Sequence, residues 1–338
     1  MKNVVLKTCL TTLVLSMSGL AAANIEVDVP PSAKNFYTDH SAIAGAALSV
    51  AAGSCIEKDV AAQAAVTIGA NATANNLYAG AAVTVGADSD VKDIYAGAAA
   101  GVAANATAFN IFAGAAVTLG APSDAYDIEA GAAITLGAGS TAYDVHAGAA
   151  TTGATKRTYN AADEEIGGNV DSIGVIDNIG TMAPFLMQVA LDAITTAQDD
   201  LFDVKTSDTD TDPTNANKYV LGTYMGSATE TTTLAGGVYE ASALNMPADA
   251  TIIFTGPAVI NLSDALTLGA NTTINDNGYS VIWNVGGALN LGAGTQFAGT
   301  AFVNGSVSGA TSDVQAGGHL YAQGAVAIGS VGTDCPPK

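Results

Sequence analysis

Apolar and polar positions alternate in short runs that recur every 17 residues along much of the first half of the chain. An Ala-Gly dipeptide marks five copies, at Ala79-Gly80, Ala96-Gly97, Ala113-Gly114, Ala130-Gly131 and Ala147-Gly148. An earlier copy begins at Ala62 with Gln63 in the place of the glycine, and another begins at Ala44 with one extra residue. Seven tandem copies therefore run from about residue 44 to residue 160.

Each copy predicts two short strands. In residues 79–95, Ala81, Val83 and Val85 alternate with small or polar residues, as in a strand with one buried face, and a second strand ends at Tyr95. Seventeen residues are too few for a helix-containing repeat but suit one coil of a β-helix. The sequence therefore predicts an all-β fold, a parallel right-handed β-solenoid.

Equivalent positions of successive coils should stack about 4.8 Å apart as ladders. Two aliphatic ladders are predicted to fill the interior. The first contains Val66, Val83, Val117 and Ile134, and the second contains Val60, Leu77, Ile94, Ile111, Ile128 and Val145.

An outward column of small polar residues is predicted between the inward positions of the first ladder. It consists of Ser49, Thr67, Thr84, Thr118, Thr135 and Thr152, with Gly101 in one coil. These residues would form a flat, uncharged face of methyl and hydroxyl groups, which is the candidate binding face. The alternative is that β-branched threonine merely suits an exposed strand position.

A second polar ladder precedes the inward aliphatic residues. It reads Asp59, Asn76, Asp93, Asn110, Asp127 and Asp144. Such residues normally hydrogen-bond the backbone of a turn. Stacked carboxylates can also bind Ca²⁺, which makes Asp93, Asp127 and Asp144 weak calcium candidates. The interposed asparagines dilute the charge and favour the structural role, so we expect neither a metal nor a cofactor.

The regular spacing ends near Lys156, and one helix is predicted farther along the chain. From Pro184 to about residue 203, apolar residues recur at intervals of three and four and form one stripe. The helix should pack along the side of the solenoid. We expect 17-residue repeats over residues 24–160 and a second solenoid half, with the helix, over residues 161–338. Residues 320–329 align without a gap on residues 77–86, so both halves share one coil pattern.

Three segments of the second half resemble the microbial ice-binding protein family: LAGGVYEASALNM at 234–246, VIWNVGGALNLGAGTQFAG at 281–299 and GGHLYAQGAVAIG at 317–329. The resemblance covers about residues 184–330, and the predicted helix lies where the helix of that family would. It implies a discontinuous β-solenoid flanked by one helix, and binding of ice. The first half departs from the family pattern, since 17-residue repeats replace or expand the usual N-terminal segment.

Residues 1–23 have the three parts of a bacterial-type secretory signal. Lys2 and Lys7 precede an apolar run, and small residues end at Ala23. No later stretch is apolar for long enough to embed in a membrane. We expect a secreted protein, extracellular or at the cell surface. Cys55 and Cys335 would then be the mature cysteines, and they are candidates for a disulfide bond, with two separate thiols as the alternative.

Charge and composition exclude several function classes. The formal net charge is −21, with 10 Lys and Arg together, which disfavours nucleic acid as a partner. His40, His146 and His319 occur in unrelated contexts without triad-like neighbours, and we expect no enzymatic activity. The predicted partner is ice or an ordered water surface. The alternative function is an extracellular structural or adhesive solenoid that self-associates into filaments or a surface matrix.

Overall fold

The computed structural model describes residues 39–153, 179–203, 218–220, 231–309, 313–314 and 318–331, together with Ser32. In these ranges the chain forms three parallel sheets and a long helix, α1 (Ile179–Phe202). The fold is an all-parallel β-solenoid with a helix at its side, as predicted. Residues 1–23 and Cys335 lie outside the described residues.

Helix α1 contacts the sheet with the most strands, here called the helix-side sheet. Its 14 strands are β1 (His40–Ala44), β3 (Asp59–Ala62), β5 (Thr73–Ala74), β6 (Leu77–Ala79), β8 (Asp90–Ala96), β10 (Thr107–Ala113), β12 (Asp124–Ala130), β14 (Thr141–Ala147), β16 (Lys218–Val220), β18 (Gly237–Ala241), β21 (Ala258–Leu262), β24 (Val281–Val285), β27 (Thr300–Val303) and β30 (His319–Ala322).

The second sheet, here called the threonine sheet, is built from three-residue strands. Its 12 strands are β2 (Leu48–Val50), β4 (Val66–Ile68), β7 (Val83–Val85), β9 (Ala100–Val102), β11 (Val117–Leu119), β13 (Ile134–Leu136), β15 (Thr151–Gly153), β19 (Leu244–Met246), β22 (Leu266–Leu268), β25 (Leu289–Leu291), β28 (Val307–Gly309) and β31 (Val326–Ile328). The third sheet contains β17 (Thr231–Leu234), β20 (Thr251–Phe254), β23 (Thr273–Asn275), β26 (Gln296–Phe297) and β29 (Asp313–Val314).

The two halves of the chain form one stack of coils, and they meet in the middle of it. Strand β1 pairs with β30, and β2 pairs with β31. From this joint the first half winds outward to β14 at one end, whereas the second half starts at β16 at the other end and winds back. The solenoid is therefore discontinuous in chain order, as the resemblance implied.

The two predicted aliphatic ladders form the core. In the first ladder, Val66, Val83, Val117 and Ile134 are at most 1% exposed, and Ala100 occupies the position in the remaining coil. The second ladder is fully buried from Val60 to Ile128, and Val145 at its end is 4% exposed. Burying each of these aliphatic side chains contributes about 1.5–3 kcal/mol.

Serine hydroxyls join successive coils at one turn. Ser89, Ser123 and Ser140 are buried, and each donates its hydroxyl hydrogen to a carbonyl 20 residues earlier, at distances of 2.9, 2.7 and 2.8 Å. A buried hydroxyl without a partner would cost free energy. The serine that recurs in the Gly-Ala-x-Ser turn is therefore a coil-to-coil hydrogen-bonding residue.

Helix α1 begins five residues before the predicted start, so Pro184 lies inside it rather than at its first position. This removes one backbone donor near the helix start but leaves the rest of the helix intact. The predicted packing along the solenoid is confirmed. Ala190, Leu191, Ile194, Ala197 and Leu201 are buried in a cluster with side chains of the helix-side sheet.

Buried amides hold the helix on the second half. The Asn284 amide donates to the Gln198 carbonyl at 3.0 Å and to Asn261 Oδ1 at 3.1 Å. The Asn261 amide donates to the carbonyl of Leu201 at 2.9 Å. All three amide side chains are buried, so these bonds satisfy groups that water cannot reach.

Two glutamines at the joint hold the helix on both halves. Gln63 Nε2 donates to Gln188 Oε1 at 3.4 Å, and Gln323 Nε2 donates to the carbonyl of Leu191 at 2.8 Å. Gln63 and Gln323 occupy the corner position that is glycine in most 17-residue copies. The helix therefore bridges the joint, and the departure of Gln63 from the repeat has a structural reason.

Cys55 lies beside the C-terminal part of the second half. Cys55 forms a disulfide bond, and its carbonyl accepts a hydrogen bond from the Val331 amide at 2.8 Å. Val331 lies four residues before Cys335. The pairing of Cys55 with Cys335 stays a prediction, because Cys335 is not among the described residues. Within those residues, no helix combines the length and apolarity needed to cross a membrane.

The joint should weaken in mild acid, because two histidines meet there. His319 Nδ1 donates to the carbonyl of His40 at 2.7 Å, and burial lowers the pKa of both imidazoles below 6.5. Asp59 opposes that pKa shift in part at His40. At His319 the hydrogen bond to the His40 carbonyl opposes it most, and the charge of Lys58 adds to the lowering. Below pH about 6.5 the unfolded chain then binds more protons than the folded one, so the free energy of unfolding falls as the pH falls.

Urea unfolding at pH about 7.5 and about 5 measures this slope. We expect lower stability at the lower pH and a shallower slope in His319→Gln, which keeps a hydrogen-bond donor but does not titrate. An equal slope in the variant and the unmodified protein would show that His319 does not cause it.

Candidate functional site

The threonine sheet presents the predicted outward column in register. Ser49 pairs with Thr67, and the pairing continues through Thr84, Gly101, Thr118, Thr135 and Thr152. The hydroxyl-bearing members are exposed, and each occupies the centre of a three-residue strand. The flanking strand residues from Leu48 to Leu136 point inward and are buried. All six sequence-predicted face residues therefore lie on one surface.

Glycines keep one border of this column free of side chains. Gly69, Gly86, Gly120 and Gly137 directly follow strands of the sheet. A Cβ atom on any of them would lie 2.4–2.6 Å from a backbone nitrogen of the preceding coil, which is too close for ordinary packing. Alanine residues such as Ala65, Ala82 and Ala116 precede the strands. Small residues on both sides thus make the face flat.

The column offers regularly spaced, uncharged groups. Each threonine contributes one methyl and one hydroxyl group, about 4.8 Å from the next coil, so seven coils extend about 29 Å. Among the described side chains, Thr152 donates a long hydrogen bond of 3.4 Å to Thr135 Oγ1. The hydroxyl groups along the column face solvent and can exchange hydrogen bonds with water.

The same column continues across the joint into the second half. This continuation was not predicted from the sequence. Ala327, Ser308, Asn290, Thr267 and Asn245 follow Ser49 in register. Here the side chains bond one another: Ser308 Oγ donates to Asn290 Oδ1 at 3.0 Å, and Asn290 Nδ2 donates to Thr267 Oγ1 at 3.4 Å. Coil lengths of 18 to 23 residues conceal the column, although the alignment of residues 320–329 on 77–86 sets Ala327 opposite Thr84.

The Asp and Asn ladder forms hydrogen bonds between coils. Asn76 Nδ2 donates to Asp59 Oδ2 at 3.2 Å, and Asn110 Nδ2 donates to Asp93 Oδ1 at 2.9 Å. These contacts support the structural interpretation. Asn110 also separates Asp93 from the carboxylates of the next coils.

The remaining calcium candidates lie at the end of this ladder. Asp144 Oδ1 lies 3.0 Å from His146 Nε2. Burial raises the pKa of Asp127, the neighbouring Asp144 raises it further, and His146 opposes the shift. No group of three or more His, Cys, Asp or Glu suited to a metal ion occurs in the described part of the chain.

Calcium should not stabilise the protein. We expect the same Tm in millimolar CaCl₂ and in EDTA, since Asp127 and Asp144 alone supply too few of the 6–8 oxygen ligands that Ca²⁺ prefers. Differential scanning calorimetry measures this directly. A rise in Tm that Asp127→Asn abolishes would show that this ladder binds calcium.

Two of the three histidines come together, contrary to the expectation that their contexts are unrelated. His40 and His319 meet at the joint, whereas His146 lies on β14 at the far end of the first half. His146 is in register with Glu129, Phe112, Tyr95 and Tyr78, as the repeat predicts. Pairing of β1 with β30 cannot be seen in the sequence, because the partners are almost 280 residues apart.

No family model and no curated protein matches the chain. Solved structures of ice-binding proteins do match. One from an Arctic yeast has 13% identity and a TM-score of 0.40, and the match covers 94% of this chain and 97% of that chain. One from an Antarctic biological consortium has 13% identity and a TM-score of 0.42, with 92% of each chain covered.

A third matching structure is an ice-binding protein from an Antarctic bacterium of the Flavobacteriaceae, with 13% identity, a TM-score of 0.33 and coverage of 89% of this chain and 97% of that chain. At these values no binding residue can be transferred from those structures. Three sequence segments indicated a similarity to ice-binding proteins, and these solved structures also come from such proteins.

Proposed function

We propose that this protein binds ice through the threonine column of the threonine sheet. The observation that carries the proposal is the uncharged, outward column from Ser49 to Thr152, in register over seven coils and bordered by glycine and alanine. The resemblance of the second half to ice-binding proteins directs attention to this ligand, and the column supplies a surface suited to it.

Binding would rest on many weak contacts to a rigid surface. Each methyl group removes a little apolar area from water, and each hydroxyl group can exchange one or two hydrogen bonds with ordered water. The parallel ladders fix the positions of these groups before binding, so little conformational entropy is lost on adsorption. Because the column carries no charge, water over it is arranged by spacing rather than by ion hydration.

Ice-recrystallisation inhibition and thermal hysteresis of the purified protein test the proposal. We expect both activities. A protein that shows neither activity, while its circular dichroism reports a folded β-protein, would refute ice binding.

A threonine in place of Gly101 would complete the threonine column and should increase the inhibition of ice recrystallisation. A Cβ at Gly101 would have no atom within 4 Å, so Gly101→Thr can add the missing methyl and hydroxyl groups without a clash. We expect inhibition at a lower protein concentration for Gly101→Thr than for Gly101→Ala, which adds only a Cβ. Equal activity of the two variants in the recrystallisation assay would show that the column does not need a hydroxyl-bearing residue in that coil.

Secretion and self-association are separate parts of the proposal. The predicted signal at residues 1–23 would export the chain to the cell exterior. The alternative function, a filament or adhesive matrix, requires stable association of copies. Light scattering at micromolar concentration distinguishes the two functions, since we expect monomers if the solenoid acts alone on ice.

A further inference from the structure

Three exposed aromatic side chains form a column on the first half, here called the aromatic column, away from the threonine column. Phe109, Tyr126 and Tyr143 are 53%, 45% and 49% exposed and lie in the first parts of β10, β12 and β14. Their ring centroids are 5.1 and 5.0 Å apart. Three adjacent exposed rings are a larger apolar surface than scattered single residues, and such patches mark interaction sites.

Another aromatic stack lies on neighbouring strands of the same sheet, on the side that helix α1 contacts. Tyr78, Tyr95 and Phe112 stack at 4.9 and 5.1 Å on β6, β8 and β10, which helix α1 contacts. Tyr78 packs against the buried cluster that contains helix residues such as Ala190. The structure describes no such covering element over the aromatic column, and its three rings are about half exposed.

The orientation of the rings in the aromatic column limits which ligands they can bind. The planes of Phe109 and Tyr126 are 8° apart, so their faces are turned toward each other and their edges point outward. Stacking on a sugar and binding of a cation over a ring both require a free ring face. The middle ring, Tyr126, therefore offers an apolar edge rather than a stacking surface.

The aromatic column forms one wall of a groove, and a second wall contains two acidic residues. The groove has a volume of about 430 Å³, and its opposite wall consists of Asp90, Thr107 and Asp124. The backbone of Val91, Ala108 and Ala125 lies between the two walls, and the side chains of these residues point into the core. Asp90 and Asp124 lie two coils apart, or about 10 Å. Thr141 donates its hydroxyl hydrogen to Asp124, which orients that carboxylate.

The charges of the two groove carboxylates are not neutralised by the described residues. Within that part of the chain, neither Asp90 nor Asp124 forms an ion pair within 4.0 Å. Lys92 lies in the aromatic column one coil before Phe109 and is the cation nearest in register to the groove. With a formal net charge of −21, the whole molecule attracts cations.

We infer that this groove binds a linear polyamine. Terminal ammonium groups would pair with Asp90 and Asp124, and the Thr107 hydroxyl oxygen would accept a hydrogen bond from an ammonium between them. The methylene chain would lie over the strand backbone and against the ring edges, which removes part of its apolar surface from water. An ammonium group on a methylene chain suits a groove with one acidic and one apolar wall, whereas a bare metal ion would leave the apolar wall unused.

Isothermal titration of the full chain with spermidine at low ionic strength tests this site. We expect one saturable site and a loss of affinity of about tenfold in Asp90→Asn/Asp124→Asn, because the charged hydrogen-bond partners are gone. Tyr126→Ala should weaken binding of spermidine, because the apolar wall of the groove loses its middle ring. Lys92→Gln should strengthen binding, because a competing cation is removed.

The matched control is Glu57→Gln/Asp199→Asn, which removes the same charge at exposed positions outside the groove. It should retain nearly all of the affinity. Equal losses in the two double variants would show diffuse charge attraction and overturn the site. A dimer that Tyr126→Ala dissociates, detected by light scattering without spermidine binding, would assign the groove to a second copy and also overturn it. Neither result depends on whether the protein binds ice.

Discussion

Replacing Thr118 with tyrosine is expected to abolish most of the ice-recrystallisation inhibition while the fold stays intact. Thr118 is exposed at the centre of β11, in register with Gly101 and Thr135. A tyrosine ring there would project beyond the flat column and hold several neighbouring coils away from ice. Because adsorption sums many weak contacts, we expect the concentration needed for inhibition to rise at least about tenfold, a loss of about 1.4 kcal/mol.

Thr107→Tyr is the matched control for this substitution. Thr107 is also an exposed strand residue, in the strand β10 that directly precedes β11, but it lies beside the aromatic column and not in the threonine sheet. It should leave the inhibition unchanged. If both tyrosine variants retain full activity, the threonine column is not the ice-binding face. If both lose it, the loss has a cause other than the shape of that face.

Asn284→Leu is expected to have the largest effect on stability, about 3 kcal/mol. The substitution keeps the branched shape of the side chain. It leaves the Gln198 carbonyl, the Asn261 side-chain oxygen and the Gln198 amide without their Asn284 partners in a buried site. An unsatisfied buried polar group costs about 1–3 kcal/mol. The loss measures how strongly helix α1 is held on the solenoid.

Urea unfolding of Asn284→Leu and Asn304→Leu provides the comparison. Asn304 is exposed in the neighbouring coil, so the same change there should alter the free energy of unfolding by less than about 0.5 kcal/mol. Similar values for the two variants would mean that the buried amides do not hold the helix.

The repeat allowed much of the first half to be predicted from sequence. A constant coil of 17 residues brings equivalent residues into register, so Val83, Ile94 and Thr84 each identified a whole ladder. The same constancy exposed Gln63 as an exception. Its hydrogen bond to Gln188 explains why a glycine corner accepts glutamine there.

Features that depend on contacts between distant segments could not be predicted in this way. The pairing of Ala42 with Leu320 joins strands at opposite ends of the chain, and no local pattern encodes it. The column beyond Ser49 was hidden because coils of the second half differ in length. Coil length can vary when a turn grows, while the three-residue strand and its buried neighbours stay the same.

The joint extends the candidate face beyond either half. Twelve strands of the threonine sheet place their central residues in one line, with threonine prevailing in the first half and hydrogen-bonded Asn, Ser and Thr in the second. The 17-residue repeats therefore lengthen the part of the face whose hydroxyl groups are available to water. We expect ice contact to concentrate on that part.

The most direct test is the partition of the unmodified protein between growing ice and liquid. A single ice crystal grown slowly in a dilute solution of the fluorescently labelled protein should take the protein up on defined crystal planes. We expect strong enrichment of this protein in ice relative to a non-binding acidic protein of similar size. Exclusion from the ice to the same extent as that reference protein would contradict it.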